Sequence, residues 1–84
     1  MKYVIGNMEG LNLVATFDDM LSHDVMFDAM KQGAPLPMAD KPLGAGFMNI
    51  NNGEIECFGY SESLKTGARL EDDLIVKLAM EETT

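Results

Sequence analysis

Tyr3-Val4-Ile5 is a short run of strand-forming residues, and Asn7, Glu9 and Gly10 follow it with turn chemistry. Leu11 to Phe17 then alternates, with Leu13, Ala15 and Phe17 on one face and Val14 and Thr16 on the other. Two such runs around a tight connection predict a hairpin. Ser22 reads as the cap of a helix running to Gln32, its hydroxyl accepting a bond from a first-turn amide. Asp24 suits the positive end of that helix. Val25, Met26, Ala29 and Met30 read as its buried stripe, with Lys31 near the end and Gly33 at C′.

Pro35, Pro37 and Pro42 exclude a helix between Ala34 and Pro42 and make a central strand unfavourable. That stretch reads as a connecting loop and a candidate lid. Phe47 to Ile50 and Glu54 to Tyr60 are predicted strands around Asn51-Asn52-Gly53, whose Asn-Gly pair suits a type I′ turn. Ile55 and Cys57 share one face of the return strand; Glu54, Glu56 and Phe58 share the other. Ser61 to Gly67 is a polar loop, a second helix is expected from about Leu70 to Met80, and Glu81 to Thr84 should fray. The order is β-β-α-β-β-α. It predicts an α+β domain, a small mostly antiparallel or mixed sheet with two helices, which we place on one face of the sheet.

With 84 residues the chain accommodates one domain, spanning 1–84. Its 46% hydrophobic content supports a core. A formal charge of −8 argues against nucleic acid and anionic membranes as partners, because both demand clustered cations. The single cysteine, Cys57, excludes an internal disulfide and a cysteine-based zinc site. No apolar run approaches the roughly 18 residues of a membrane helix. The N-terminus turns polar too early for a signal peptide. We therefore expect a cytoplasmic protein.

His23, the only histidine, falls at the start of the first helix. The positive end of a helix disfavours imidazolium, and a neutral ring there can act as a base or nucleophile. Free amides at the same end bind anions. The plainer alternative is a surface histidine bonded beside a cap. Ser61, Ser63, Thr66 and Gly67 precede the second helix, where hydroxyls and amides can cradle an anion. Lys65 and Arg69 bring two of only six cations to the same stretch. Asp18, Asp19, Asp24 and Asp28 lack the spacing of an oxygen-ligand cage, so no metal or other cofactor is expected. The methionines read as adaptable core filler.

Four segments in register resemble the janus/ocnus family, which includes the phosphohistidine phosphatases. Lys2-Tyr3-Val4 is similar to its K-Y-V at the first strand. Leu13-Val14, Phe17, His23 and Phe27-Asp28 resemble one ungapped family stretch. Leu43-Gly44-Ala45-Gly46 resembles L-G-G-G, and Phe58-Gly59-Tyr60-Ser61 resembles the strand end Y-G-Y-S. The resemblance implies a small mixed sheet flanked by two helices and metal-independent hydrolysis of phosphohistidine in proteins or peptides. It implies His23 as general base and Lys2 as a phosphate-holding lysine. It also implies Tyr60 and Ser61 lining the phosphate site, with Ser63 supplying an amide.

Phe47 stands where the phosphatases carry an arginine; Lys65 or Arg69 is the candidate replacement. Nothing here matches the family's last strand, so a second copy of the chain is a candidate partner for the exposed sheet edge. Two functions follow as expectations. One is a phosphohistidine-type phosphatase acting on a phosphorylated protein, peptide or small phospho-ligand. The other is a non-catalytic module of the same fold that binds a phospho-ligand or a protein.

Overall fold

The computed structural model describes residues 1–82. Its elements are β1 (Lys2–Met8), β2 (Leu11–Phe17), α1 (His23–Gly33), β3 (Gly44–Asn51), β4 (Glu54–Phe58), β5 (Tyr60–Ser61), β6 (Thr66–Gly67) and α2 (Asp72–Glu82). Four strands form an antiparallel sheet in the order β2-β1-β3-β4, and β5 and β6 form a small separate hairpin. The α+β class and the order of the main elements are those the residue pattern predicts. The Ser61–Gly67 stretch differs from the predicted loop, because Tyr60 pairs with Gly67 and Ser61 with Thr66.

Both long hairpins turn on two residues with positive φ. These are Glu9 (51°) and Gly10 (88°) in one, and Asn52 (51°) and Gly53 (81°) in the other. Two successive left-handed residues give the twist of a type I′ turn, which matches the right-handed twist of the flanking strands.

The helices lie on opposite faces of the sheet, which corrects the expectation of one shared face. Phe27 and Met30 of α1 pack with Val4, Phe17 and Ala45 on one side. Val76 of α2 packs with Tyr3, Ile5 and Met48 on the other. Consecutive residues of β1 serve both cores, so the strand is apolar without alternation. Each fully buried aliphatic side chain in these cores stabilises the fold by roughly 1.5–3 kcal/mol.

The buried stripe of α1 is His23, Phe27 and Met30, with Met26 partly buried, rather than Val25, Met26, Ala29 and Met30. Spacing at i, i+4 and i+7 turns the bulky Phe27 inward and leaves Val25 and Ala29 exposed. Gly33 ends the helix as its last residue, and the Ala34 amide closes it on the Met30 carbonyl at 2.9 Å. The Pro-rich segment is fastened to the Met8 end of β1: the Ala39 amide donates to the Asn7 carbonyl and Met38 bridges Met8. That is about 20 Å along the strand from Lys2, at about 3.4 Å per residue, so the segment is not a lid over His23.

Helix α2 starts two residues later than expected and includes Glu81 and Glu82; Thr83 and Thr84, also expected to fray, lie outside the described residues. Its first residue, Asp72, is fully buried. The Asp72 carboxylate accepts from the Tyr3 hydroxyl (2.6 Å), the Arg69 amide (3.0 Å) and Arg69 Nε (2.9 Å). Arg69 Nη2 stands 2.8 Å from Oδ1 as a charge contact, off the line of a hydrogen bond. A Cβ on Gly44 would collide with this carboxylate, so the β3 glycine makes room for it. Asp73 accepts from the Cys57 amide at 2.7 Å and ties α2 to the outer side of β4. Among the described residues, no helix is long and apolar enough to cross a membrane.

Burial, together with the bond to Asp72, raises the Tyr3 phenol above its usual range. Burial and the neighbouring Asp73 push the Cys57 thiol up to about 12. Both groups are neutral when folded. Their contribution to stability is therefore complete below the unfolded values and is lost as pH rises from about 9 toward the folded values. Unfolding free energy should hold steady up to about pH 9 and fall above it. Tyr3→Phe, which strips one donor from the buried carboxylate, should cost about 1–3 kcal/mol in urea unfolding at neutral pH.

Candidate functional site

His23 is the first residue of α1 and is buried, with 5% of its surface exposed. Its ring stands edge-on to Phe17 (centroids 5.6 Å apart) and to Phe47 (5.7 Å), and Phe47 stacks on Phe58. Nε2 lies 2.8 Å from the Gly46 carbonyl oxygen. A carbonyl oxygen only accepts, so Nε2 carries the proton, and in the neutral ring Nδ1 is then the atom with the free lone pair. Gly46 is required on the opposite strand. Its φ is +155°, and a Cβ there would strike the Phe58 carbonyl oxygen. The alternative of a surface histidine does not hold: the ring is largely enclosed and fixed to β3.

Lys2 meets His23 at the same end of the sheet. Cross-strand register sets Lys2 opposite Phe17 on one side and Phe47 on the other, the two rings that flank the imidazole. Its Nζ donates to the Leu21 carbonyl at 2.8 Å, two residues before α1. The β5–β6 hairpin reaches this end as well. Leu64 packs against the α1-side core, and the Ser63 hydroxyl bonds to the Asp24 carboxylate. Ser61 is buried, with its Oγ accepting from the Leu64 amide (3.3 Å) and lying 3.4 Å from Ser63 Oγ. Lys2 and His23 therefore share one end of the sheet, and the β5–β6 hairpin approaches the start of α1 through Leu64 and Ser63.

Three of the expected site residues do other work. Arg69 is consumed by Asp72 and Glu71 on the α2 side of the sheet. It is not available as a donor beside His23, because a buried carboxylate is a far stronger demand than a surface cradle. Tyr60 is exposed and lies over Gly67 rather than over His23. Lys65 is exposed at the hairpin turn with φ 52° and makes no described contact with the histidine.

Asp24 is the residue that sequence reasoning left out of the site. Its carboxyl is held below the usual carboxylate range, first by the Ser22 hydroxyl, then by the Val25 amide and its own, and by the Ser63 hydroxyl. Ser22 thus gives its hydroxyl to Asp24 and makes no side-chain cap bond to a helix amide. One of the donors expected to cradle an external anion, Ser63, thus acts on the chain's own carboxylate. The signal was present: an acidic residue in the first turn beside a serine cap is the chain's own anion for that helix end.

Of three surface cavities, the one at Met1, Asp18 and Asp19 lies at this end of the sheet, and the other two lie on the α2 side. Those two are lined by Met8, Leu11, Val14, Ile75 and Leu78 between β2 and α2, and by Ile50, Ile55, Lys77 and Met80. Among the described residues, no three His, Cys, Asp or Glu side chains gather as metal ligands.

No protein-family model, curated protein or solved structure matches the chain. The resemblance to the janus/ocnus family rests on the motif residues themselves.

Asp24→Asn removes a charge from the cluster while keeping its shape. Inorganic phosphate followed by amide chemical shifts at Val25 and Ser63 should bind the variant more tightly than the parent, because a like charge has left the helix start. Equal affinity would show that Asp24 does not occupy the cradle.

Proposed function

We propose that the α1 end of the domain acts on phosphoryl groups, as a metal-independent phosphatase of the phosphohistidine type with His23 as its base. The observation that carries this reading is the bond from Nε2 to the Gly46 carbonyl. It selects the tautomer and fixes the ring, which leaves Nδ1 to accept a proton. In the reaction, Nδ1 takes a proton from water as the water oxygen bonds to phosphorus. The phosphorus–nitrogen bond breaks, and the proton passes to the departing imidazole nitrogen of the substrate. Lys2 supplies positive charge beside the ring, with one donor already given to Leu21 and others left for phosphate oxygens. The Ser63 hydroxyl and the first amides of α1 supply the remaining donors once phosphate displaces the Asp24 carboxylate.

Two observations favour the second reading, a non-catalytic module that binds a phospho-ligand or a protein. Phe47 supplies packing where the phosphatases supply a guanidinium, and Asp24 competes with any bound anion. Both lower the electrostatic stabilisation that a phosphoryl transition state requires.

Incubation with a phosphohistidine peptide, followed by phosphorus NMR, separates the two. The parent chain should release phosphate. His23→Gln, which keeps an amide donor for Gly46 but has no base, should lose about 100-fold or more of that rate. Its thermal melt reports whether the fold is retained. Equal rates in the two proteins would end the catalytic reading. Phosphate-induced shifts near His23 and Ser63 without hydrolysis would establish the binding module instead.

A further inference from the structure

We propose that β2 pairs edge to edge with β2 of a second copy of this chain, antiparallel about a two-fold axis at Val14. The pairing would join the two sheets into one.

The hydrogen-bond pattern identifies which groups are open. The carbonyls of Met1, Ile5 and Asn7 bond toward β3 and the loop before it. The even residues of β1 therefore bond toward β2, and their register partners are Leu11, Leu13, Ala15 and Phe17. Asn12, Val14 and Thr16 then direct their N–H and C=O groups away from the sheet. Among the described residues, no other segment bonds to these groups. A two-fold axis at Val14 sets Val14 against its own copy and Asn12 against Thr16 of the second copy, twice. Each of these pairs can exchange both backbone bonds.

Charge selects this edge for a second copy. The chain carries a net −8, yet none of the seven residues of β2 is charged. The strand has no proline, lysine or inward charge, the usual devices that stop edges from pairing. The opposite edge is guarded. β4 carries Glu54 and Glu56, and its outward Cys57 amide is already taken by Asp73. Two strongly acidic copies can thus meet along β2 without opposing carboxylates. The apolar groove between β2 and α2, lined by Val14, Ile75 and Leu78, opens beside the same edge. The exposed Leu74 and Leu78 flank it on α2. Because the axis preserves the faces of the sheet, the α2 helices of the two copies share one side, and these leucines can fill the groove between them.

Sedimentation velocity from micromolar to millimolar chain, with amide exchange on the same samples, tests the pairing. The parent should dimerise and protect the Asn12, Val14 and Thr16 amides as the dimer fills. Asn12→Glu with Thr16→Glu sets like charges opposite each other on exposed positions and should weaken the dimer at least tenfold with the monomer fold intact. Asn12→Lys with Thr16→Glu sets opposite charges across the axis and should restore it. A parent that stays monomeric, a dimer that survives the double glutamate change, or protection on β4 instead of β2 would overturn the proposal. Capture of a foreign strand by monomeric chain would overturn it equally.

Discussion

The bond between His23 Nε2 and the Gly46 carbonyl is the constraint around which the α1 half of the domain is arranged. It joins the first residue of a helix to the third strand of the sheet, across 23 positions of sequence. The aromatic rings of Phe17 and Phe47 then shield it from water, where a hydrogen bond is harder to exchange for solvent. Each feature of the candidate site inherits this geometry. The ring is held, its tautomer is chosen, and the helix start is held against the end of the sheet that carries Lys2. A histidine serving structure alone would make the same bond. What distinguishes the phosphoryl-handling reading is the company at that end, a lysine, two serines and a helix start.

Much of the fold was legible because its signals are local. Asn52-Gly53 and Glu9-Gly10 announce hairpins through backbone conformations that few residues tolerate. The placement of the helices was not local. The uninterrupted apolar run Tyr3-Val4-Ile5 held the clue, because a strand covered on one face alternates and this one does not. The α1 stripe was misread because the helix is apolar over much of its circumference. Only when the histidine counts as a buried residue do His23, Phe27 and Met30 form one line. The β5–β6 hairpin was invisible because two-residue strands have no period to detect.

The site was legible in part for the same reason. His23 and Lys2 stand out as single residues of distinctive chemistry, and register brings them together. Arg69 could not be assigned from the sequence, because its partner Asp72 is buried only once Tyr3, 69 positions away, closes over it. In a chain with six cations, assigning one to a buried carboxylate removes it from any exposed role. Register sets Lys2 beside Phe17 and Phe47, the two rings that flank the imidazole.

The Leu43-Gly44-Ala45-Gly46-Phe47 stretch answers to demands from both faces of the sheet. Gly44 makes room for Asp72 on the α2 side of the sheet, and the Gly46 carbonyl holds His23 on the α1 side. Both demands are on backbone space, so they preserve glycine whatever the site does. Phe47 is under no such demand. Its ring packs between His23 and Phe58, and a Cβ on Gly59 would stand 2.9 Å from it. The glycines report the fold, and the residue after them reports the chemistry. An aromatic at position 47 holds the imidazole by packing and brings no charge beside it.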